Sequence, residues 1–193
     1  MEVTHFPIKG LVLLTPEVFG DERGFFLERF NRKKFEDAGI MTEFVQDNHS
    51  RSVQGVLRGL HYQRPPFAQA KLVWVVRGNV LDVAVDMRKD SPTFGQWQAV
   101  ELSSENKQMF FVPRGFAHGF VVLSESADFL YKTDNYYAKE SDGGVLWNDP
   151  EIGVEWGIEA PVLSGKDTIQ PTLQEVLARD EVFTEAEWSS SEH

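Results

Sequence analysis

The run Val56-Leu57-Arg58-Gly59-Leu60-His61-Tyr62-Gln63 puts an arginine and a histidine in β-prone sequence, and Gln69-Ala70-Lys71 sets a lysine at the head of an apolar strand. A histidine titrates near neutral pH, and a lysine drawn toward an apolar interior can sit beside a developing negative charge. Together they point to proton abstraction next to a carbonyl. The plainer alternative is a core histidine and a lysine whose stem lies along apolar surface. Just upstream, Gln46-Asp47-Asn48-His49-Ser50 offers amide donors and acceptors that suit the edge of a planar base. The histidines are His5, His49, His61, His118 and His193, with no His-x-His pair and no glutamate at ligand spacing after one, so no metal site is expected.

These residues need a scaffold. At 193 residues the chain can bury one substantial core, and a single domain over 1–193 is expected. A net charge of −11 argues against a nucleic-acid partner, because a duplex binder presents a basic face to phosphates. There is no apolar run of membrane-spanning length. The opening Met1-Glu2-Val3-Thr4-His5 has no basic segment leading into an apolar one, so neither an anchor nor a signal peptide is expected and the cytoplasm is the expected location. The lack of cysteine excludes disulfides and thiolate chemistry.

The hydrophobic periodicity is mostly two. Strands are expected over 10–14, 24–29, 44–48, 56–63, 72–76, 81–86, 97–102, 109–112, 119–123 and 128–133, separated by Gly- and Pro-rich turns. The turn Arg77-Gly78-Asn79 reads as the tip of a hairpin joining 72–76 to 81–86. Helical spacing is confined to 32–38, ending at Gly39, and to 172–178. Many short strands with regular turns mean a mainly β sandwich, jelly roll or barrel with a few short helices. The acidic tail from about 180 to 193 is expected to be loosely ordered. Strict alternation would put Arg58 and His61 on opposite faces of one strand, so a shared pocket requires a bulge, for which Gly59 is the obvious place.

Six motifs occur in one order: Phe19-Gly20-Asp21-Glu22-Arg23-Gly24-Phe25-Phe26, the 46–50 run, the 57–63 run, Ser91-Pro92-Thr93-Phe94-Gly95-Gln96-Trp97, Gly115-Phe116-Ala117-His118-Gly119-Phe120 and Leu146-Trp147-Asn148-Asp149. They resemble the dTDP-4-dehydrorhamnose 3,5-epimerases from roughly Phe19 to Asp167. The resemblance implies a cupin-type jelly roll, a homodimer that exchanges N-terminal strands, a dTDP-sugar substrate, and neither a metal nor an organic cofactor. It implies epimerisation of dTDP-4-dehydro-6-deoxy-D-glucose at C3 and C5. A 3-epimerase or 5-epimerase of another deoxysugar pathway would carry the same base and acid, and a non-catalytic cupin that binds sugar nucleotides would tolerate their loss.

By the same resemblance His61 looks like the base and Asp167 the carboxylate that orients it, while Lys71 resembles the partner of the enolate oxygen and Tyr131 the acid. Arg23 and Arg58 resemble pyrophosphate ligands, with Lys166 assisting, and a guanidinium fork suits phosphate oxygens. Gln46, Asp47 and Asn48 fit a thymine edge, Glu28 resembles a base or ribose contact, and Phe19 or Phe26 could stack on the ring. His118 resembles a ligand contact, and Asp142 matches only loosely. The chain departs from the pattern at Ala70, where a glycine is expected, and at Trp74, where a smaller or polar residue is expected; both bear on pocket shape.

Overall fold

The computed structural model describes residues 1–184 and residue 187. In chain order the strands are Glu2–His5 (β1), Val12–Thr15 (β2), Val18–Asp21 (β3), Gly24–Leu27 (β4), Gln46–Val53 (β5), Leu57–Gln63 (β6), Lys71–Arg77 (β7), Asn79–Asp86 (β8), Trp97–Ser103 (β9), Met109–Val112 (β10), Phe116–Val122 (β11), Ser126–Thr133 (β12) and Asp142–Gly144 (β13). Two short helices join them, Arg32–Asp37 (α1) and Leu173–Ala178 (α2). A six-stranded sheet runs β1-β2-β10-β7-β12-β5 and a five-stranded sheet β13-β6-β11-β8-β9, with β3 and β4 forming a separate hairpin. Strand pairing within these sheets is antiparallel throughout, as in the expected jelly-roll sandwich. Among the described residues no helix is long and apolar enough to cross a membrane.

Most expected strands form within a few residues of their predicted ends, but the hairpin expected at Arg77-Gly78-Asn79 does not. β7 lies between β10 and β12 in one sheet, while β8 lies between β11 and β9 in the other. The chain switches sheets at Gly78, whose φ of +75° and whose packing against Ser126 O, 2.0 Å from where a Cβ would stand, leave room only for glycine. Strand order in a sandwich is set by long-range pairing, and a local turn signal cannot distinguish a hairpin from a corner.

Three apolar layers explain why the strands read as nearly continuous hydrophobic runs. Between the sheets pack Val73, Val75, Val80, Ala84, Phe110, Phe120 and Phe129. Outside the five-stranded sheet, Leu57, Leu60, Tyr62, Val83 and Val85 pack against Trp156, Leu173, Val176 and Phe183. Outside the six-stranded sheet, Leu72, Trp74, Met109 and Phe111 are covered by Phe35 and Ile40 at α1 and its exit. A strand buried on both faces has no polar side to show. Trp74, one of the departures in the sequence pattern, therefore belongs to this outer layer rather than to the space between the sheets.

Buried carboxylates tie the loops to this frame. Asp86 accepts from the Arg88 guanidinium and from the Ser91 and Thr93 hydroxyls, which accounts for the Ser91-Pro92-Thr93 motif. Asp149, in the Trp147-Asn148-Asp149 motif, accepts from the backbone N–H groups of Glu151, Ile152 and Leu173. The start of the acidic tail is not loose: Val182 and Phe183 are buried, and the Tyr62 hydroxyl donates to Glu181 O at 3.1 Å. Burial of Phe183 against the Tyr62 ring holds this segment in place. The rest of the expected loose tail, 185–186 and 188–193, lies outside the described residues.

Candidate active site

At one end the space between the sheets opens into a cavity of about 320 Å³, lined by Asn48, His49, Ser50, Arg58, His61, Lys71, His118, Phe120, Phe129 and Tyr131. It depends on a bulge in β6. His118 pairs with His61 and Phe120 with Arg58, so three steps along β6 match two along β11. The extra residue turns Arg58 and His61 to the same side, while Leu57 and Leu60 both enter the outer core. Gly59 sits at the bulge with φ +145°, and a Cβ there would stand 2.6 Å from Gly119 Cα.

His61 Nε2 lies 2.5 Å from Asp167 Oδ1, bringing together two residues 106 apart in sequence. The other carboxylate oxygen of Asp167 accepts from the Ser164 hydroxyl at 2.8 Å. Burial pushes the Asp167 carboxyl up, but hydrogen bonds from His61 and Ser164 and the charges of His61 and Lys166 outweigh it, leaving it below the ordinary carboxylate range. A carboxylate on one ring nitrogen fixes the other as the one that faces the cavity.

Lys71 enters the cavity from β7 on the facing sheet. Burial lowers its ammonium to about 8, opposed by the charges of Asp82 and Asp142 and reinforced by Lys166. Tyr131 lies on β12 in the same sheet, and burial pushes its phenol up, with Arg58 partly offsetting that. The Arg58 Nε donates to Ser52 Oγ at 3.0 Å, leaving the outer nitrogens of the fork for the cavity. His118 Nε2 contacts both carboxylate oxygens of Asp82 at 2.9 and 3.0 Å. Asp82 is fully buried and was not among the residues singled out from sequence, although a carboxylate inside the apolar run Leu81-Asp82-Val83-Ala84 is itself a signal. Ser52 and Ser164 were missed for a different reason, since serines are common and their roles here are purely positional.

The remaining expected residues divide. On β5, Asn48 and Ser50 face the cavity, and Gln46 lies further along the same face, with its Nε2 donating to Asn48 Oδ1 at 3.1 Å. Asp47 points the other way and pairs with Lys132 at 2.8 Å, as alternation along a strand requires. Asp142 and Lys166 pair with each other beside the His61–Asp167 contact. Phe19, Arg23, Phe26 and Glu28 do not reach the cavity. Arg23 pairs with Asp21 at the tip of the β3–β4 hairpin, Glu28 pairs with Lys34 at 2.9 Å, and Phe19, Phe25 and Phe26 are 56, 63 and 68 % exposed. Among the described residues no group of three or more His, Asp or Glu side chains gathers as a metal ligand set.

Known proteins share both sequence and fold with this chain. The profile of a family described as dTDP-4-dehydrorhamnose 3,5-epimerase matches residues 5–175. A protein of that name from Shigella flexneri is 58% identical over 168 residues, covering 86% of this chain and 93% of its own length. A Legionella pneumophila 3,5-epimerase, crystallised with dTDP-4-keto-L-rhamnose, superposes with a TM-score of 0.88 at 49% identity and covers 92% of this chain and 95% of its own. A 3'-monoepimerase from Streptomyces bikiniensis, in complex with dTDP-quinovose, superposes with a TM-score of 0.90 at 32% identity, covering 97% of this chain and 96% of its own.

Proposed function

Because the chain belongs to the dTDP-4-dehydrorhamnose 3,5-epimerase family, we propose a division of labour among its residues for that reaction. The protein is an isomerase that converts dTDP-4-dehydro-6-deoxy-D-glucose to dTDP-4-dehydro-L-rhamnose, within dTDP-L-rhamnose formation. The hydrogens at C3 and C5 flank the C4 carbonyl, so removing either sends an electron pair into an enolate whose charge rests on the C4 oxygen. His61 takes the proton, held in orientation by Asp167. Lys71 stands as the ammonium beside the enolate oxygen. Tyr131 returns a proton to the opposite face of the carbon and is recharged from solvent, to which His61 releases the proton it took.

One observation carries this reading: His61 and Tyr131 reach the same cavity from opposing sheets, β6 in one and β12 in the other. Inversion needs a base and an acid on opposite faces of one carbon, and two facing sheets supply them. Burial raises the Tyr131 phenol, so the proton it must deliver is still present near neutral pH. Arg58, with Lys166, binds the pyrophosphate, while Gln46 and Asn48 read the thymine edge. His118 and Asp142 complete the contacts to the ligand.

The active unit is a homodimer in which each chain lends its N-terminal strands to the other, working in the cytoplasm. The exposed β3–β4 hairpin supports this, because three large phenylalanines on a two-stranded ribbon need an apolar partner and Arg23 and Glu28 travel with them. Asp47 belongs with the thymine contacts only through its backbone, since its side chain faces away.

Proton NMR of dTDP-4-dehydro-6-deoxyglucose in deuterium oxide tests the function. Loss of both the C3 and C5 signals, with dTDP-L-rhamnose formed on adding a ketoreductase, is the expected result. Loss of the C3 signal alone would make the protein a 3-epimerase, and retention of both would leave a binding protein.

A further inference from the structure

Asp82 is a fully buried carboxylate for which the steps above have no use. It lies on β8, outside the residues that line the cavity, and both of its oxygens meet His118 Nε2. Burying a carboxylate costs several kcal/mol unless it is paired. Burial dominates and leaves this one above the ordinary carboxylate range, while the charge and hydrogen bond of His118 and the charge of Lys71 pull it back down. The charged and titratable groups around the cavity are His49 on β5, which faces Asp128, Arg58 on β6, His61 with Asp167, Lys71 on β7, His118 on β11, Tyr131 on β12, Asp142 on β13, and Lys166, which pairs with Asp142. Cations prevail at the wall itself, where Arg58 and Lys71 stand with no carboxylate among the lining residues. Burial lowers the Lys71 ammonium in this setting, and the charges of Asp82 and Asp142 oppose that.

Resting on the assignment of Lys71 to the enolate oxygen, we propose that Asp82 is a positioning residue for the epimerisation. It fixes the His118 ring through Nε2 and supplies the buried negative charge that keeps Lys71 an ammonium.

The test is the pH profile of kcat for the full-length enzyme and for Asp82→Asn, Asp82→Glu and Lys71→Gln. The alkaline limb in Asp82→Asn is expected to move down by half a pH unit or more and to return toward the wild-type position in Asp82→Glu. A fall in kcat with the limb unmoved would show a merely structural residue and overturn the proposal. A limb that persists in Lys71→Gln would instead overturn the Lys71 assignment. If Asp82→Asn does not fold, carbon-13 NMR of the wild-type enzyme decides the matter: the Asp82 carboxyl signal must inflect where Lys71 loses its proton, and a flat signal there refutes the coupling.

Discussion

Asp167→Asn isolates the charge behind His61 while leaving its geometry in place. Asparagine keeps one carbonyl oxygen for His61 Nε2, and its amide can donate to Ser164 Oγ, which now donates to the carboxylate at 2.8 Å. What disappears is the attraction between the carboxylate and the imidazolium that forms when His61 takes the proton. At an effective dielectric of about 20 and a charge separation of about 4 Å, that attraction is about 4 kcal/mol. The Asp167 side chain is 3% exposed but His61 is 30% exposed, so solvent screens part of it. Roughly 2–3 kcal/mol then remains, or about a 30- to 150-fold fall in kcat. The assay is the initial rate of deuterium entry at C3 and C5 of the substrate, with a thermal melt to show that the fold is intact. A folded Asp167→Asn enzyme within about threefold of wild type in kcat would refute the reasoning, because His61 would then need no counter-charge.

His61→Ala should abolish exchange at both carbons, whereas Tyr131→Phe should still release substrate protons while forming little inverted product, measured by the same deuterium exchange and by coupled reduction. Lys71 has its ammonium lowered to about 8, so the active protonated form is lost as pH rises through that value. The kcat of the wild type should therefore fall about tenfold per pH unit well above 8, and Lys71→Gln should lack that limb. Gly59→Ala must place a Cβ 2.6 Å from Gly119 Cα at φ +145°. A loss of about 2–4 kcal/mol in urea-melt stability is expected, together with a raised KM as Arg58 leaves its place.

Much of the scaffold was legible because strand-forming residues, turn residues and the two short helices are local signals. The helix expected over 172–178 is capped by Thr172 and Glu175, as its sequence indicates. The motifs at Ser91 and Trp147 stood out before their purpose was visible, and the fold shows them bonding to or containing the buried Asp86 and Asp149. The need for a bulge at Gly59 was also readable, since two residues three apart cannot share a face of a regular strand.

Sequence by itself determined the inventory: a mainly β chain carrying His61, Lys71, Tyr131 and the residues around them, with the motif order of one enzyme family. Tertiary structure alone decided which of these meet. It drew Asp167 to His61 across 106 positions, paired Asp82 with His118, turned Asp47 outward, and left Arg23 and its phenylalanines on an exposed hairpin outside the cavity lining. It also replaced the expected β7–β8 hairpin with a corner between sheets. Propensity and periodicity act over a few residues, whereas sheet order and the meeting of distant side chains depend on burying both faces of every strand at once.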